Sequence, residues 1–325
     1  MKTVHDLSWG DPFCVRQALE ETLGGHGYGS WEATPEDMGY PPHYGMPALI
    51  EQLKDLAHRQ SGHRPKHLIV TCGATGAINA ALHALKTTKT GWVVTNKRRF
   101  PLYPAIIGLT DMIMIDRSKR DELCNSSNGC SDANFISLVD SPSAPEGIVS
   151  VFEDVDIWDA AYASRTYGNV FLPTPLKYRV MCGSLSKTLG LAGLRLGWAS
   201  TDEDFLADSI KNYVNASYAG LSSVSMGFAE GILRILDIPA FELLSGGYVD
   251  DNRGEIQRVL VKFGQPSVPV RGMFAILELG KAEKRALEKA NIKWLPGPVW
   301  GESESWARLS LGQTREVTRA AVKSV

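Results

Sequence analysis

The chain has no C-x-x-C pair, and its five cysteines (Cys14, Cys72, Cys124, Cys130, Cys182) are odd in number and scattered. A disulfide framework is therefore not expected. The stretch "CNSSNGC" (124–130) brings two of them close, but its other residues are Ser, Asn and Gly with no histidine nearby. It reads as a polar loop, and no metal site is expected. Long apolar runs are also missing: none approaches the roughly 18 residues of a membrane span, and the opening "MKTVHDLSWGDPF" lacks the apolar core of a signal peptide. The expectation is a cytoplasmic protein with no membrane partner. Nor is there an excess of charge: 34 Lys and Arg stand against 36 Asp and Glu, and no basic cluster exceeds "KRR" (97–99). That leaves no electrostatic case for nucleic acid.

What is present is an ordinary globular composition, 44% hydrophobic and 22% charged, over 325 residues. A chain of that size can bury one large core and a smaller one. Short apolar runs, "HLIVTCG" (67–73), "GWVVTN" (91–96), "DMIMID" (111–116), "FISLVD" (135–140), "VDIWDAA" (155–161), "YRVMCGS" (178–184) and "LGWAS" (196–200), show little alternation. Strands apolar on both faces belong to a sheet covered on both sides. Helical spacing in "TGAINAALHALK" (75–86) and "PLYPAIIGL" (101–109) falls between them, so the expected fold class is α/β with a mainly parallel central sheet covered by helices. After about residue 201 come longer helical stretches, one of them "AEGILRILDIPAFELLSG", then isolated strands in "GMFAILELG" and "ARLSLG". We expect a large domain over 40–235 and a small α+β domain made of 1–39 and 236–325. No internal repeat or low-complexity linker is found.

Residues 183–198, "GSLSKTLGLAGLRLGW", set Lys187 between two apolar strands. Burial lowers a lysine pKa and makes the amine a nucleophile able to form a Schiff base; equally, a lysine stem can lie on apolar surface with its head in water. In "TCGATGA", Gly73, Ala74 and Thr75 join a strand to a helix start, where backbone N–H groups and the dipole favour an anion, although Gly-Thr is also an ordinary cap. Asp159 ends the apolar run "VDIWDAAY" and, if buried, calls for a cationic partner.

Together these motifs resemble the pyridoxal-phosphate enzymes of fold type I, in particular the class I/II aminotransferases. The likeness runs from "YPPHYGMPALIEQL" at residue 40 to "RLSLG" at 308, and "SLSKTLGLAGLRLG" matches every defined position of S-x-S-K-x-x-G-x-x-G-x-R-x-G. The resemblance implies that Lys187 carries pyridoxal 5'-phosphate as a Schiff base and moves the substrate Cα proton. It implies that Gly73, Ala74, Thr75, Ser184 and Arg195 hold the phosphate, with Tyr40 reaching the phosphate of a second subunit in a homodimer. Phe100 would stack on the ring, Asp159 keep the ring nitrogen protonated, and Tyr162 bond the phenolic oxygen. Arg308 would grip the substrate carboxylate, and Gly10 would let the N-terminal segment close over the substrate. Trp9, Tyr28, Trp31, His43 and Tyr44 are candidates to line the pocket.

The chain also departs from the pattern. "DSPSAPEG" (140–147) stands where N-P-x-N-P-T-G is usual, so Ala144 replaces an asparagine that donates to the phenolic oxygen. Only residues 148–158 separate Gly147 from Asp159, too few for a full crossover helix. This short link is similar to the alliinase and tryptophan-aminotransferase-like branch. The function expected is aminotransfer on an amino acid or amine, with decarboxylation or C–S (β-elimination) lyase chemistry as alternatives on the same fold.

Overall fold

The computed structural model describes residues 4–24, 39–86, 91–126, 135–147, 149, 154–168, 177–264 and 272–325. The first half of the chain runs β1 (His5–Asp6), α1 (Phe13–Leu23), α2 (Pro47–Ser61), β2 (His67–Cys72), α3 (Gly73–Lys86), β3 (Trp92–Thr95), α4 (Tyr103–Gly108), β4 (Ile113–Asp116), α5 (Arg117–Ser126), β5 (Phe135–Asp140) and β6 (Asp154–Asp159). It continues with β7 (Lys177–Ser184), α6 (Leu185–Thr188), β8 (Leu196–Thr201), α7 (Asp204–Tyr218), α8 (Ser223–Ile235) and α9 (Ile238–Lys262). The last elements are β9 (Phe274–Glu278), α10 (Lys281–Lys289), β10 (Ile292–Lys293), β11 (Leu295–Pro296), β12 (Trp306–Ser310) and α11 (Arg315–Ser324).

Seven strands form the central sheet in the order β2-β8-β7-β6-β5-β3-β4. All are parallel except β8, which runs antiparallel to both neighbours. The chain steps outward from β3 to β4 and returns to β5 on the other side of β3, so the order reverses there. Open α/β sheets bind ligands at such a switch, beyond the carboxyl ends of their strands. Because β8 is reversed, its first residues reach the same edge: Leu196 lies opposite Cys72 and Gly197 opposite Ser184.

Both faces of the sheet are dry, as the unalternating strands require. On one face α3 buries Ala77, Ile78, Ala81, Leu82 and Leu85 with Ile69, Ile136, Ile157 and Val180. Each large aliphatic side chain fully buried there contributes about 1.5–3 kcal/mol. The other face joins α2, α8 and α9 to the N-terminal segment and to a small antiparallel sheet, β11-β12-β9. β1 pairs with β10, so the chain's beginning is tied to its C-terminal region. The helical run expected over "AEGILRILDIPAFELLSG" is broken: α8 stops at Ile235, and α9 restarts behind Asp237, whose carboxylate accepts from Ala240 N–H at 3.1 Å, with Pro239 in its first turn. Proline has no N–H to continue the preceding helix but suits a first turn. Among the described residues no helix is long and apolar enough to cross a membrane, and no acidic, His or Cys group could hold a metal.

Candidate active site

The C-terminal edge of the parallel strands gathers most of the residues singled out by the sequence. At one end, α3 starts at Gly73, whose φ of +68° favours glycine, and presents the N–H groups of Ala74 and Thr75. Gly197 is packed against this start: a Cβ there would lie 2.4 Å from the Gly73 carbonyl carbon and 2.7 Å from Ala74 N. Arg195 adopts a left-handed φ of 52° and turns its guanidinium over Gly73, where an added Cβ would meet Nη2 at 2.9 Å. Ser184 caps α6 by accepting from Ser186 N–H at 3.1 Å. Gly73, Ala74, Ser184 and Arg195 thus converge into an anion cradle on a helix N-terminus, and Thr75 follows in its first turn.

Lys187 sits on the single turn of α6. Its ammonium donates to the carbonyl of Gly10, which brings the N-terminal segment over it. Gly10 leaves room for this: a Cβ would stand 3.4 Å from Phe274 Cζ, 3.6 Å from Lys187 Nζ and 3.9 Å from the Tyr162 hydroxyl. Burial lowers the Lys187 pKa to about 8; Asp11 opposes that shift, while Arg308, Arg195 and Arg16 reinforce it. Arg16 in turn fixes Asp11, at 2.6 Å, and bonds the Gly190 carbonyl at 3.1 Å.

Tyr162 is buried and meets Phe274 edge-on, with ring centroids 5.7 Å apart. Burial raises its pKa, and Arg308 counteracts. The Arg308 guanidinium lies 3.8 Å from the Phe274 ring centroid and is 5% exposed. It forms no ion pair with a described residue, its Nε has no hydrogen-bond partner, and burial lowers its pKa to about 10.

Asp159 is buried, and no cation of the described residues pairs with it: Oδ2 accepts from the Tyr103 hydroxyl at 2.9 Å and Oδ1 from Ala161 N–H at 3.1 Å. A structural ion pair is therefore not its role, and burial raises its pKa to about 6. Phe100 is half-buried in the connection between β3 and α4 and packs edge-on to Tyr103 at 5.6 Å. Ala144 is buried and its N–H bonds Asp140 Oδ2 at 2.8 Å.

Tyr40, at 88% exposure, and Trp9, at 67%, are turned outward in the isolated chain. Tyr44 is half-buried under Lys211, 5.9 Å from its ring, and His43 meets it edge-on. Tyr28 and Trp31 lie outside the described residues. Sequence reasoning missed Tyr103, Asp140, Phe274 and Asp11. Only Tyr103 carried a signal, since it follows Phe100 by three positions at a helix start.

The fold is that of the fold type I aminotransferases. The aromatic aminotransferase of Pyrococcus horikoshii superposes with a TM-score of 0.75 at 17% identity, covering 100% of this chain and 95% of that one. A Thermus thermophilus aspartate aminotransferase variant gives 0.77 at 16% identity, covering 100% and 96%. The Alliinase_C family profile, described as Allinase, matches residues 45–238, and the chain belongs to this family. It is 26% identical over 176 residues to tryptophan aminotransferase-related protein 2 of Arabidopsis thaliana, 53% of this chain and 39% of that protein. It therefore spans less than half the length of that plant relative. An aromatic amino acid aminotransferase of Mycolicibacterium vanbaalenii is 26% identical over 282 residues, 77% of this chain and 75% of that protein.

Proposed function

We propose that this protein is a pyridoxal-phosphate-dependent aminotransferase acting on an amino acid or amine. One observation carries the reading: around Tyr162 lie a buried guanidinium (Arg308) and a buried carboxylate (Asp159), neither ion-paired with a described residue, and a lysine of lowered pKa. Uncompensated buried charges are costly unless a ligand completes them. An α-carboxylate suits Arg308 and a protonated ring nitrogen suits Asp159. The aminotransferase relative matched over three quarters of both chains supports the same reaction class.

The residues fit the cofactor by their chemistry. The α3 start at Gly73–Thr75, Ser184 and the Arg195 fork would hold the phosphate, and Gly197 keeps the cradle open. Asp159 would carry the charge facing the ring nitrogen, with Tyr103 and Ala161 holding its two oxygens in place. Phe100 would cover the ring face and Tyr162 donate to the phenolic oxygen. The cofactor, when bound, supplies an electron sink for the pair released when a bond at the substrate Cα breaks.

Lys187 then has two tasks. Its neutral amine, accessible near physiological pH because burial has lowered its pKa to about 8, would hold the cofactor through its aldehyde. When free, the same amine would be the base that holds the proton removed from the substrate Cα. Arg308 orients the substrate by its carboxylate, which selects the Cα–H bond for cleavage, and the Phe274 ring face supports that guanidinium at 3.8 Å. Gly10 and the Asp11–Arg16 pair close the N-terminal segment over the amine. In this reading Tyr40 projects to the phosphate site of a second copy, and the active form is a homodimer.

Borohydride treatment of the protein loaded with pyridoxal phosphate, followed by peptide mapping, tests the assignment: the label is expected on Lys187 and absent in Lys187→Ala. A label on another lysine would overturn it. Incubation with a panel of amino acids should yield keto acids. Carbon dioxide with an amine, or a released thiol, would instead assign a decarboxylase or a C–S lyase, the latter in line with a 102-residue segment 30% identical to alliin lyase of Allium cepa var. aggregatum.

A further inference from the structure

Asp159 has a neighbour that the proposed reaction does not use. β5 and β6 run parallel with Asp140 directly opposite Asp159, and paired residues of adjacent strands project to the same face of a sheet. Both are buried, Asp140 at 1% and Asp159 at 6% exposure. Two carboxylates side by side in a dry site cannot both ionise.

The hydrogen bonds decide which one keeps its proton. Asp159 receives two donors, the Tyr103 hydroxyl and the Ala161 N–H, one on each oxygen. Asp140 receives the Ala144 N–H on Oδ2 and feels its own backbone N–H, but its Oδ1 is buried with no hydrogen-bond partner among the described residues. Donors stabilise a carboxylate, whereas a charged oxygen buried without a donor is penalised in full. We propose that Asp140 and Asp159 form a one-proton, one-charge pair in which Asp140 holds the proton on Oδ1 and Asp159 holds the charge. Asp140 is then a positioning residue that sets the charge of the ring end of the pocket at −1.

On balance the groups facing Asp140 favour its proton. Burial, then Asp159 on β6 and Glu146 in its own loop push its proton affinity up, while the Ala144 N–H and its own N–H oppose; the carboxyl reaches about 7, above its neighbour at about 6. Tyr103 from α4 and Tyr162 beyond β6 feel both carboxyls and stay neutral. Cys182 on β7 feels Asp159 and is likewise neutral. Arg99, ahead of α4, acts on Asp140 from a distance and without an ion pair, and its charge favours the ionised form.

A single charge matches a single protonated ring nitrogen; that consequence rests on the cofactor reading, while the pair itself is a property of the chain alone. The test uses the full-length, cofactor-free protein labelled with ¹³C at aspartate carboxyls, each resonance assigned by its loss in Asp140→Asn or Asp159→Asn. At neutral pH Asp140 should show the shift of a carboxylic acid and Asp159 that of a carboxylate. Asp140→Asn, which keeps an acceptor for Ala144 and mimics the neutral acid, should leave the Asp159 midpoint within about 0.3 pH unit, since no neighbouring charge is removed. A fall of one unit or more, about tenfold in proton affinity, or two carboxylate shifts at neutral pH, would overturn the proposal. In the loaded protein, Asp140→Asn should keep the pyridoxal-phosphate Kd within about threefold. If the wild type shows the expected shifts but binds no pyridoxal phosphate, the cofactor reading fails and the pair stands.

Discussion

Arg98 joins three parts of the chain, and removing it should be felt well beyond its own position. Its Nε meets Glu302 at 2.7 Å, its Nη1 pairs with Glu146 of the loop after β5, and its guanidinium lies 4.5 Å from the Trp306 ring centroid. Arg99 N–H, one residue on, bonds the Trp300 carbonyl at 3.2 Å, so the segment leading into Phe100 is clamped to the small sheet. Burial alone would push the Glu302 carboxyl up; hydrogen bonding and charge from Arg98 reverse this and hold it below its ordinary value. Breaking a fully buried ion pair costs about 3–5 kcal/mol and an exposed one about 0–1. With Arg98 27%, Glu146 16% and Glu302 10% exposed, an intermediate cost of about 2 kcal/mol is expected for Arg98→Ala, and loss of the stacked ring adds about 0.5–1. Lys97, 3.3 Å from Glu302, recovers part of this.

Urea unfolding of the cofactor-free wild type and variant at neutral pH should therefore differ by about 2 kcal/mol. Because the Glu302 pKa is depressed in the fold, its contribution is present above the unfolded value, 4.5 on the reference scale. It is lost as pH falls through the folded value, so the gap should narrow in acid. Arg98→Lys should restore less than half, because an ammonium lacks the fork that reaches both carboxylates and stacks on Trp306. A difference under about 0.5 kcal/mol, or one that does not narrow in acid, would refute the clamp.

Arg308→Ala should weaken binding of α-carboxylate substrates by about 2–4 kcal/mol while leaving the stability of the cofactor-free protein unchanged or higher, since the guanidinium has no ion pair with a described residue to lose; an unchanged KM would remove Arg308 from the substrate site. Gly197→Ala drives a Cβ to 2.6 Å from the Gly183 carbonyl oxygen and into the backbone at Gly73, so it should raise the Kd for pyridoxal phosphate at least tenfold, about 1.4 kcal/mol, and equilibrium binding by absorbance decides it. Ala144→Asn adds a donor for the phenolic oxygen of the bound cofactor, which stabilises the ionised oxygen and lowers the proton affinity of the lysine-linked nitrogen. Its visible band should titrate at a lower pH than in the wild type, and an equal or higher midpoint contradicts that placement of the side chain.

The strands were legible because a sheet covered on both faces needs runs such as "YRVMCGS" and "FISLVD", and both became strands of the central sheet. The lysine, the glycines around it and Arg195 were legible because they fall within one strand–turn–strand segment, where spacing along the chain is spacing in the site. The reversal of β8 was not readable, since an apolar run has no direction. Nor was the company of Asp159: Tyr103 is 56 residues away, and Asp140 becomes its neighbour only through the β5–β6 register. The same holds for Arg98, whose two carboxylates lie 48 and 204 residues distant. A sequence by itself determined which residue types were available and how each local segment would bend. The tertiary structure decided which charges met a partner and which were left for a ligand, because burial and long-range register set the electrostatic surroundings of a group.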